Sequence, residues 1–222
     1  MPNKPILIVM LTQDDKTIYN ARLIFEQCKT SKAQYFGFKE SPLPLDEMKE
    51  LFSDMKKCGK HIVLEVVSYS EEEGLEGAKM AQYCGCDILM GTMYSVKIND
   101  FCKQNNIRYM PFVGEVTDRP SVLSGDINNI IAEAKQCIAK GAYGIDLLGY
   151  RYTGDASLLN SRLVKELEAP VCIAGSVNSV DRLDEIKSIS PWAFTIGSAF
   201  FENSFGKDIK EQIDFVYDYI NS

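Results

Sequence analysis

The feature that most constrains this chain is a regular alternation of short apolar segments with longer amphipathic ones. Eight runs rich in β-branched and aromatic residues recur along the 222 residues, at 5–12, 33–39, 61–68, 87–92, 108–116, 144–150, 171–175 and 193–197. Each run is short and almost continuously apolar, which is typical of parallel strands covered on both faces. We therefore interpret these runs as the strands of a parallel sheet.

Segments with helical periodicity separate the strands. They lie at 18–28, 45–58, 71–83, 95–104, 126–140, 158–167, 180–188 and 209–219. Several are followed by a residue that stops a helix, such as Gly59, Gly141 or Pro170. Eight strands that alternate with eight helices predict an α/β fold, a single (β/α)8 TIM barrel domain over residues 1–222.

A doubly wound open sheet also alternates strands with helices and is the alternative fold. The nearly equal length of the eight units favours closure into a barrel instead. In addition, no Gly-x-Gly-x-x-Gly fingerprint follows the first strand, so a dinucleotide cofactor is not indicated. We expect no cofactor.

The charge and cysteine content limit the partners and the compartment. The formal net charge is −7, which disfavours nucleic acid and anionic membranes as partners. No apolar run approaches the ~20 residues that span a bilayer. The seven cysteines are odd in number and no signal peptide is recognisable, so we expect reduced thiols in the cytoplasm and a structural role for Cys84-Gly-Cys86. The oligomeric state stays open, a homo-oligomer included.

Two glycine-serine pairs follow the last two strands. Gly175-Ser176 ends strand seven and Gly197-Ser198 ends strand eight. In this fold the active site gathers at the carboxyl ends of the strands, and phosphate sites commonly use these two loops. Glycine lets the backbone N–H groups approach an anion closely. The pairs predict a site for a phosphorylated small molecule; the alternative is that each is only a tight turn.

These segments resemble the loops of the phosphate-binding (β/α)8 enzymes, the group that holds sugar-phosphate epimerases, decarboxylases and barrel enzymes of histidine and tryptophan biosynthesis. The segment 195–199, Thr-Ile-Gly-Ser-Ala, carries most of the resemblance. Residues 148–153 are similar to the sixth-strand loop of N-acetylmannosamine-6-phosphate 2-epimerases. Residues 37–39 resemble the end of their second strand, with Lys39 where they carry an arginine.

The departures from that epimerase family concern its catalytic residues. Its lysine after strand three corresponds to about Val67, and its strand-seven glutamate corresponds to about Ala174 or Gly175. The resemblance therefore implies the fold and a phosphate site, and it argues against that particular reaction.

Ionisable residues inside or at the ends of strands are the candidate catalytic groups. Glu65 and Asp146 interrupt apolar strands, and Lys39 and Glu115 stand at strand ends. A buried unpaired charge is costly, so we expect these side chains to point into the barrel mouth. Carboxylates around a lysine shift each other's pKa and move protons. The alternative is a structural ion-pair network.

Further candidates lie in the loops. Arg151 and Tyr150, after strand six, are suited to hold a substrate phosphate, carboxylate or sugar ring. The alternative is that these are ordinary surface-loop residues. Weaker candidates are Gln13, Asp14, Asp15 and Arg119, and the alternative for Asp14 and Asp15 is a cap of the first helix. The only histidine, His61, begins strand three at the opposite face, so we expect neither a histidine metal site nor a Ser-His-Asp triad.

Together these features predict a metal-independent enzyme that acts on a small phosphorylated sugar or related metabolite. Glu65 and Asp146 are expected to act as acid and base, with Lys39 stabilising an oxyanion. An isomerase or epimerase is the first interpretation, and a carbon–carbon lyase or decarboxylase is the second. A Schiff base on Lys39 stays open, and so does a barrel that binds phosphate ligands without catalysis.

Overall fold

The computed structural model describes residues 4–222 and confirms the (β/α)8 barrel. Its strands are β1 Ile6–Met10, β2 Tyr35–Lys39, β3 His61–Val66, β4 Ile88–Met93, β5 Arg108–Phe112, β6 Ile145–Leu147, β7 Val171–Ile173 and β8 Ala193–Ile196. They form one parallel sheet in the order β6-β7-β8-β1-β2-β3-β4-β5. The seam between β5 and β6 is bridged where the Tyr143 N–H donates to the Tyr109 carbonyl at 2.9 Å.

The helices follow the strands in alternation. They are α1 Ala21–Cys28, α2 Leu45–Lys57, α3 Glu71–Cys84, α4 Val96–Gln104, α5 Ile127–Ala139, α6 Ala156–Glu166, α7 Val180–Ile189 and α8 Ile209–Asn221. Six of them begin at a Ser or Asp whose side chain accepts a first-turn N–H: Ser70, Ser95, Asp126, Asp155, Ser179 and Asp208. Such caps satisfy otherwise unpaired N–H groups and fix where each strand-to-helix loop ends.

Four small secondary-structure elements lie at the carboxyl ends of the strands. They are a first hairpin of Thr12–Gln13 with Lys16–Thr17, a second hairpin of Glu115–Thr117 with Val122–Ser124, a 3₁₀ turn at Gly149–Arg151 and a short helix at Ser198–Phe201. The runs 5–12 and 108–116, each predicted as one strand, are therefore divided. In the second case the chain turns at Gly114, whose φ is +80°, a value that favours glycine.

The lower part of the barrel interior, toward the amino ends of the strands, is apolar, and the upper part, at their carboxyl ends, is polar. The lower part holds a buried cluster of inward side chains: Ile8, Met10, Val63, Ile88, Met90, Met110, Cys172 and Ala193. At the upper end, the paired positions Lys39 and Glu65 of β2 and β3 bring charges into the barrel. His61 lies at the lower end, stacked on Tyr35 with ring centroids 4.5 Å apart. Within residues 4–222, no helix has the length and apolar character needed to cross a membrane.

Candidate active site

A cavity of about 290 Å³ opens at the carboxyl ends of the strands. Side chains and loops that follow every strand except β4 line it. This is the end of the barrel at which enzymes of this fold carry their active sites. The volume lies near the lower limit for small-molecule pockets, which run from about 300 to 1,000 Å³.

One wall of the cavity holds a cluster of buried charges. Lys39 Nζ lies 2.7 Å from Asp15 Oδ1 and 2.9 Å from Glu65 Oε1, and all three side chains are less than 10% exposed. Burial alone would lower the pKa of Lys39, but the negative charges of Glu65 and Asp15 outweigh it and raise that pKa. Lys39 is therefore an ammonium ion, whereas a Schiff base needs the neutral amine.

Asp15, one of the weaker sequence candidates, is central to this cluster because of the first hairpin. Asp14 and Asp15 are the two residues at its tip, with φ values of 49° and 64°. Positive φ at both positions is the geometry of the tightest hairpin turn, which aspartate tolerates. The Thr17 hydroxyl accepts from Lys39 N at 2.9 Å and donates to Lys39 O at 2.8 Å. The hairpin is thus fastened to β2, which holds Asp15 beside Lys39.

Asp146 lies deeper than expected, beneath the charge cluster rather than on the cavity wall. Its side chain is fully buried, and among residues 4–222 neither carboxylate oxygen makes a hydrogen bond of normal geometry, although the Gly91 backbone N–H is close enough to act on its pKa. Burial, and then the negative charge of Glu65, raise the pKa of Asp146 well above its ordinary value, while Lys39 acts in the opposite direction. The Asp146 carboxyl group therefore keeps its proton to a higher pH than an exposed aspartate does.

Glu115 does not join the cluster, so the expected convergence of four ionisable groups needs correction. It belongs to the second hairpin, is exposed, and accepts from the Ser124 hydroxyl at 3.2 Å. The turn at Gly114 directs the chain out of β5 before Glu115 is reached. Glu115, which the sequence predicts at the end of strand five, is in fact the first residue of the second hairpin.

The other wall of the cavity is formed by the two glycine-serine loops. Gly175, Ser176, Gly197 and Ser198 all line it. Gly175 and Ser176 have φ values of 83° and 41°, and Arg182 donates to the Ser176 carbonyl and to Asn178 Oδ1, the latter at 3.0 Å. Asn178 and Glu202, farther along the same two loops, line the cavity as well.

Gly197 is required by a close contact between the two walls. A Cβ atom there would lie 2.5 Å from Thr12 Oγ1 and 2.9 Å from the Thr12 carbonyl oxygen. Any side chain at this position would displace the first hairpin, which carries Asp15. The short helix then begins at Ser198.

The structure separates the two residues predicted to hold substrate after strand six. Arg151 lines the cavity, with its Nη1 atom 3.4 Å from both Asp15 Oδ1 and the Ser121 carbonyl. Tyr150 instead faces α7, where its hydroxyl donates to Glu185 Oε2 at 3.1 Å. Tyr150 is absent from the cavity lining. It can support the loop but does not face a ligand in this arrangement.

The second hairpin covers one side of the cavity mouth. Pro120 lines the cavity, and Arg119, a weaker sequence candidate, donates to Glu40 Oε1 at 3.0 Å and to the Val67 carbonyl. The Tyr69 hydroxyl donates to the Asp118 carbonyl at 2.8 Å. These bonds connect the hairpin to the ends of β2 and β3, so Arg119 holds the covering hairpin in place.

Thr12, Asn178 and Glu202 also line the cavity and were not singled out from the sequence. They are ordinary polar residues in loops, and no motif marks them. Asp15 did carry a signal: its Asp-Asp pair is flanked by Thr-Gln and Lys-Thr, a polar turn between residues of strand propensity.

No protein-family model matches this sequence, and no curated protein matches it. Solved structures match over nearly the whole chain. Orotidine 5'-phosphate decarboxylase from Pyrococcus horikoshii superposes with a TM-score of 0.67 at 12% identity, over 98% of this chain and 100% of that one. N-(5'-phosphoribosyl)anthranilate isomerase from Pyrococcus furiosus gives 0.65 at 15% identity, over 98% and 100%.

The N-acetylmannosamine-6-phosphate 2-epimerase from Clostridium perfringens, of the family that the sequence resembles in two loops, gives a TM-score of 0.63 at 14% identity, over 88% of this chain and 87% of that one. Identities this low carry the architecture and not the reaction. The chain thus has the (β/α)8 barrel fold that these enzymes of phosphorylated metabolites also have.

Proposed function

We propose that this protein is a metal-independent enzyme that moves protons on a small phosphorylated metabolite, most simply a sugar-phosphate isomerase or epimerase. One observation carries the proposal. The Asp15–Lys39–Glu65 cluster and the two glycine-serine loops line the same small cavity. A group able to transfer protons thus lies within one small ligand's length of a group able to bind phosphate.

The phosphate is assigned to the loops that carry Gly175-Ser176 and Gly197-Ser198. Their backbone can approach an anion closely because none of these four residues has a long side chain, and Gly175 and Ser176 adopt positive φ. Arg151, which contacts Gly175, adds a guanidinium suited to a phosphate oxygen. The likeness in fold to enzymes named for phosphorylated substrates is consistent with this assignment.

The proton transfer is assigned to Glu65 and Lys39. Glu65 takes a proton from the carbon beside the substrate carbonyl, and the C–H electron pair moves onto the carbonyl oxygen. The Lys39 ammonium stabilises the resulting oxyanion. For isomerisation, Glu65 then returns the proton to the former carbonyl carbon, while the hydroxyl proton on the carbon that lost its hydrogen passes to the oxyanion, so that the new carbonyl forms there. For epimerisation, a proton donor on the opposite face protonates the original carbon instead, and the Lys39 ammonium is the donor available in the cavity. Asp15 holds Lys39 in position, and Lys39 supplies the positive charge between the two carboxylates.

A carbon–carbon lyase or decarboxylase is the second candidate, favoured by the protonated state of Lys39. An ammonium group at the cavity wall can donate a proton to the carbanion left after a bond to carbon breaks. Product analysis by NMR in D₂O separates the two reactions. An isomerase keeps every carbon and incorporates deuterium beside the carbonyl, whereas a lyase yields a shorter product.

The experiment that tests the proposal is a turnover screen across triose, pentose and hexose phosphates, followed by two matched variants. Glu65→Gln is expected to lower kcat by roughly 10²-fold or more, because it removes the base while keeping shape. Glu115→Gln makes the same chemical change outside the cavity and is expected to leave kcat unchanged.

Equal kcat for Glu65→Gln and the unmodified protein would remove Glu65 from the mechanism. Binding of phosphate esters with no turnover of any would leave a ligand-binding barrel in place of an enzyme. The outcome that supports the proposal is therefore a loss confined to the Glu65 variant.

A further inference from the structure

The charges that line the cavity bear on the substrate itself. We infer that the substrate carries its phosphate as its only anionic group, and that the rest of the molecule is free of carboxylate or a second phosphate. The inference rests on the proposed function, because it takes the phosphate to lie on the glycine-serine loops.

The basic side chains that line the cavity already contact acidic or carbonyl groups of the protein. Lys39 is paired at 2.7 and 2.9 Å with Asp15 and Glu65. Among the described residues that line the cavity, Arg151 is the one other cation, and its contacts to Asp15 and Ser121 are both long at 3.4 Å. The cavity therefore offers one guanidinium with donors to spare, which suits a single anionic group.

Two acids on the cavity wall have no compensating charge. Asp14, at the tip of the first hairpin, and Glu202, after the short helix, both line the cavity and are exposed. Neither makes a side-chain hydrogen bond or ion pair with another residue of the described chain, 4–222. They follow the adjacent strands β1 and β8 and so lie near Gly197. The loop backbone and Arg151 must therefore hold one phosphate against both acids, and no further cation lines the described part of the cavity to offset a second anion.

These acids would repel a second anionic group. The six ionised side chains that line the cavity comprise Asp14, Asp15, Glu65 and Glu202 against Lys39 and Arg151. In a cavity of about 290 Å³, both ends of a bound ligand lie within a Debye length, about 8–10 Å, of this excess negative charge. A substrate hydroxyl, by contrast, can donate to a carboxylate. Sugar monophosphates fit this charge pattern, whereas sugar bisphosphates and phosphorylated sugar acids do not.

The test is calorimetric titration with two matched series of ligands. The hexose series is glucose 6-phosphate, 6-phosphogluconate and glucose 1,6-bisphosphate, and the pentose series is ribose 5-phosphate, 5-phosphoribonate and ribose 1,5-bisphosphate. Within a series the bisphosphate keeps the sugar ring of the monophosphate and adds one phosphate, whereas the sugar acid is open-chain as well as more anionic, so the bisphosphate comparison decides. We expect the monophosphate of at least one series to bind on the order of tenfold more tightly than its two relatives. The second anionic group of those relatives is placed near the acidic side chains of the cavity and is repelled by them.

A double variant shows whether Asp14 and Glu202 cause the preference. Asp14→Asn/Glu202→Gln is expected to reduce the ratio of affinities by about threefold or more, since two of the repelling charges are gone. Glu72→Gln/Asp100→Asn removes two exposed charges outside the cavity and is expected to leave the ratio unchanged.

The outcomes separate this inference from the function on which it rests. Equal affinity for monophosphates and bisphosphates, or tighter binding of the sugar acids, overturns the inference and leaves the phosphate site standing. A preference that is unchanged in the Asp14/Glu202 variant overturns its electrostatic cause. Failure of every phosphate ester to bind at millimolar concentration overturns both.

Discussion

The two walls of the cavity are built in different ways. The wall after β7 and β8 is formed by loops whose Gly175-Ser176 and Gly197-Ser198 pairs carry no bulky side chain. The wall after β1, β2 and β3 presents charged side chains, Asp15, Lys39 and Glu65, that pair with one another. Backbone N–H groups suit a fixed anion, whereas paired carboxylates and an ammonium suit a moving proton. The difference is consistent with the proposed roles, which are phosphate binding at the first wall and proton transfer at the second.

The two walls also differ in how far apart their residues lie in the sequence. Each glycine-serine loop is local, because both residues are adjacent in the chain. The charged wall draws on residues 15, 39 and 65, which meet only because β1, β2 and β3 are neighbours in the sheet. A variant that changes one wall and spares the other is therefore the way to test the comparison.

The largest expected effect comes from removing the cation of the charged wall. Lys39→Met leaves Asp15 and Glu65 buried without their partner, and breaking a buried ion pair in this way costs about 3–5 kcal/mol of stability. Urea denaturation followed by circular dichroism measures the free energy of unfolding. Lys97→Met is the matched control, because Lys97 pairs with Glu71 at an exposed position, where ion pairs contribute little.

Equal stability of the two lysine variants would contradict the account of the charged wall. It would mean that the buried Asp15 and Glu65 side chains do not need Lys39 as an ion-pair partner.

The next largest effect is the dependence of folding stability on pH that Asp146 causes. Its folded pKa is raised by burial and by Glu65, whereas in the unfolded chain it is about 3.9. The folded protein thus holds a proton that the unfolded chain releases, so this group's contribution is complete below about pH 4 and declines by about 1.4 kcal/mol per pH unit up to the folded pKa.

Asp146→Asn keeps the neutral shape and cannot titrate, so it escapes this decline. We expect its stability relative to the unmodified protein to increase with pH above about 4, with a slope approaching 1.4 kcal/mol per unit. Denaturation at a series of pH values measures the slope. Parallel stability curves would show that Asp146 has an ordinary pKa in the folded protein.

The fold was largely predictable because its signals are local. Eight apolar runs and eight amphipathic segments mark the barrel strands and helices within a few residues of their observed bounds. Gly175 and Gly197 are candidates because of their position at strand ends, and both line the cavity; their role in binding phosphate stays a prediction.

The charged wall was predictable only in part, because its geometry depends on turns and on register. Glu115 looked like the end of β5, but Gly114 turns the chain into a hairpin first. Asp15 looked like a loop residue, but the first hairpin folds it back beside Lys39. Asp146 pairs in register with Cys172 of the apolar interior; it is fully buried and does not line the cavity.

The division of work between the two walls can be tested most directly by measuring ligand binding with one variant of each wall. Calorimetry with the sugar monophosphate that turns over fastest compares Ser198→Asp, which places a negative charge in the glycine-serine wall, with Glu65→Gln in the charged wall. We expect Ser198→Asp to lose on the order of tenfold or more in affinity, while Glu65→Gln keeps an affinity close to that of the unmodified protein. Undiminished affinity in Ser198→Asp would show that the phosphate does not lie on that wall and would contradict the account.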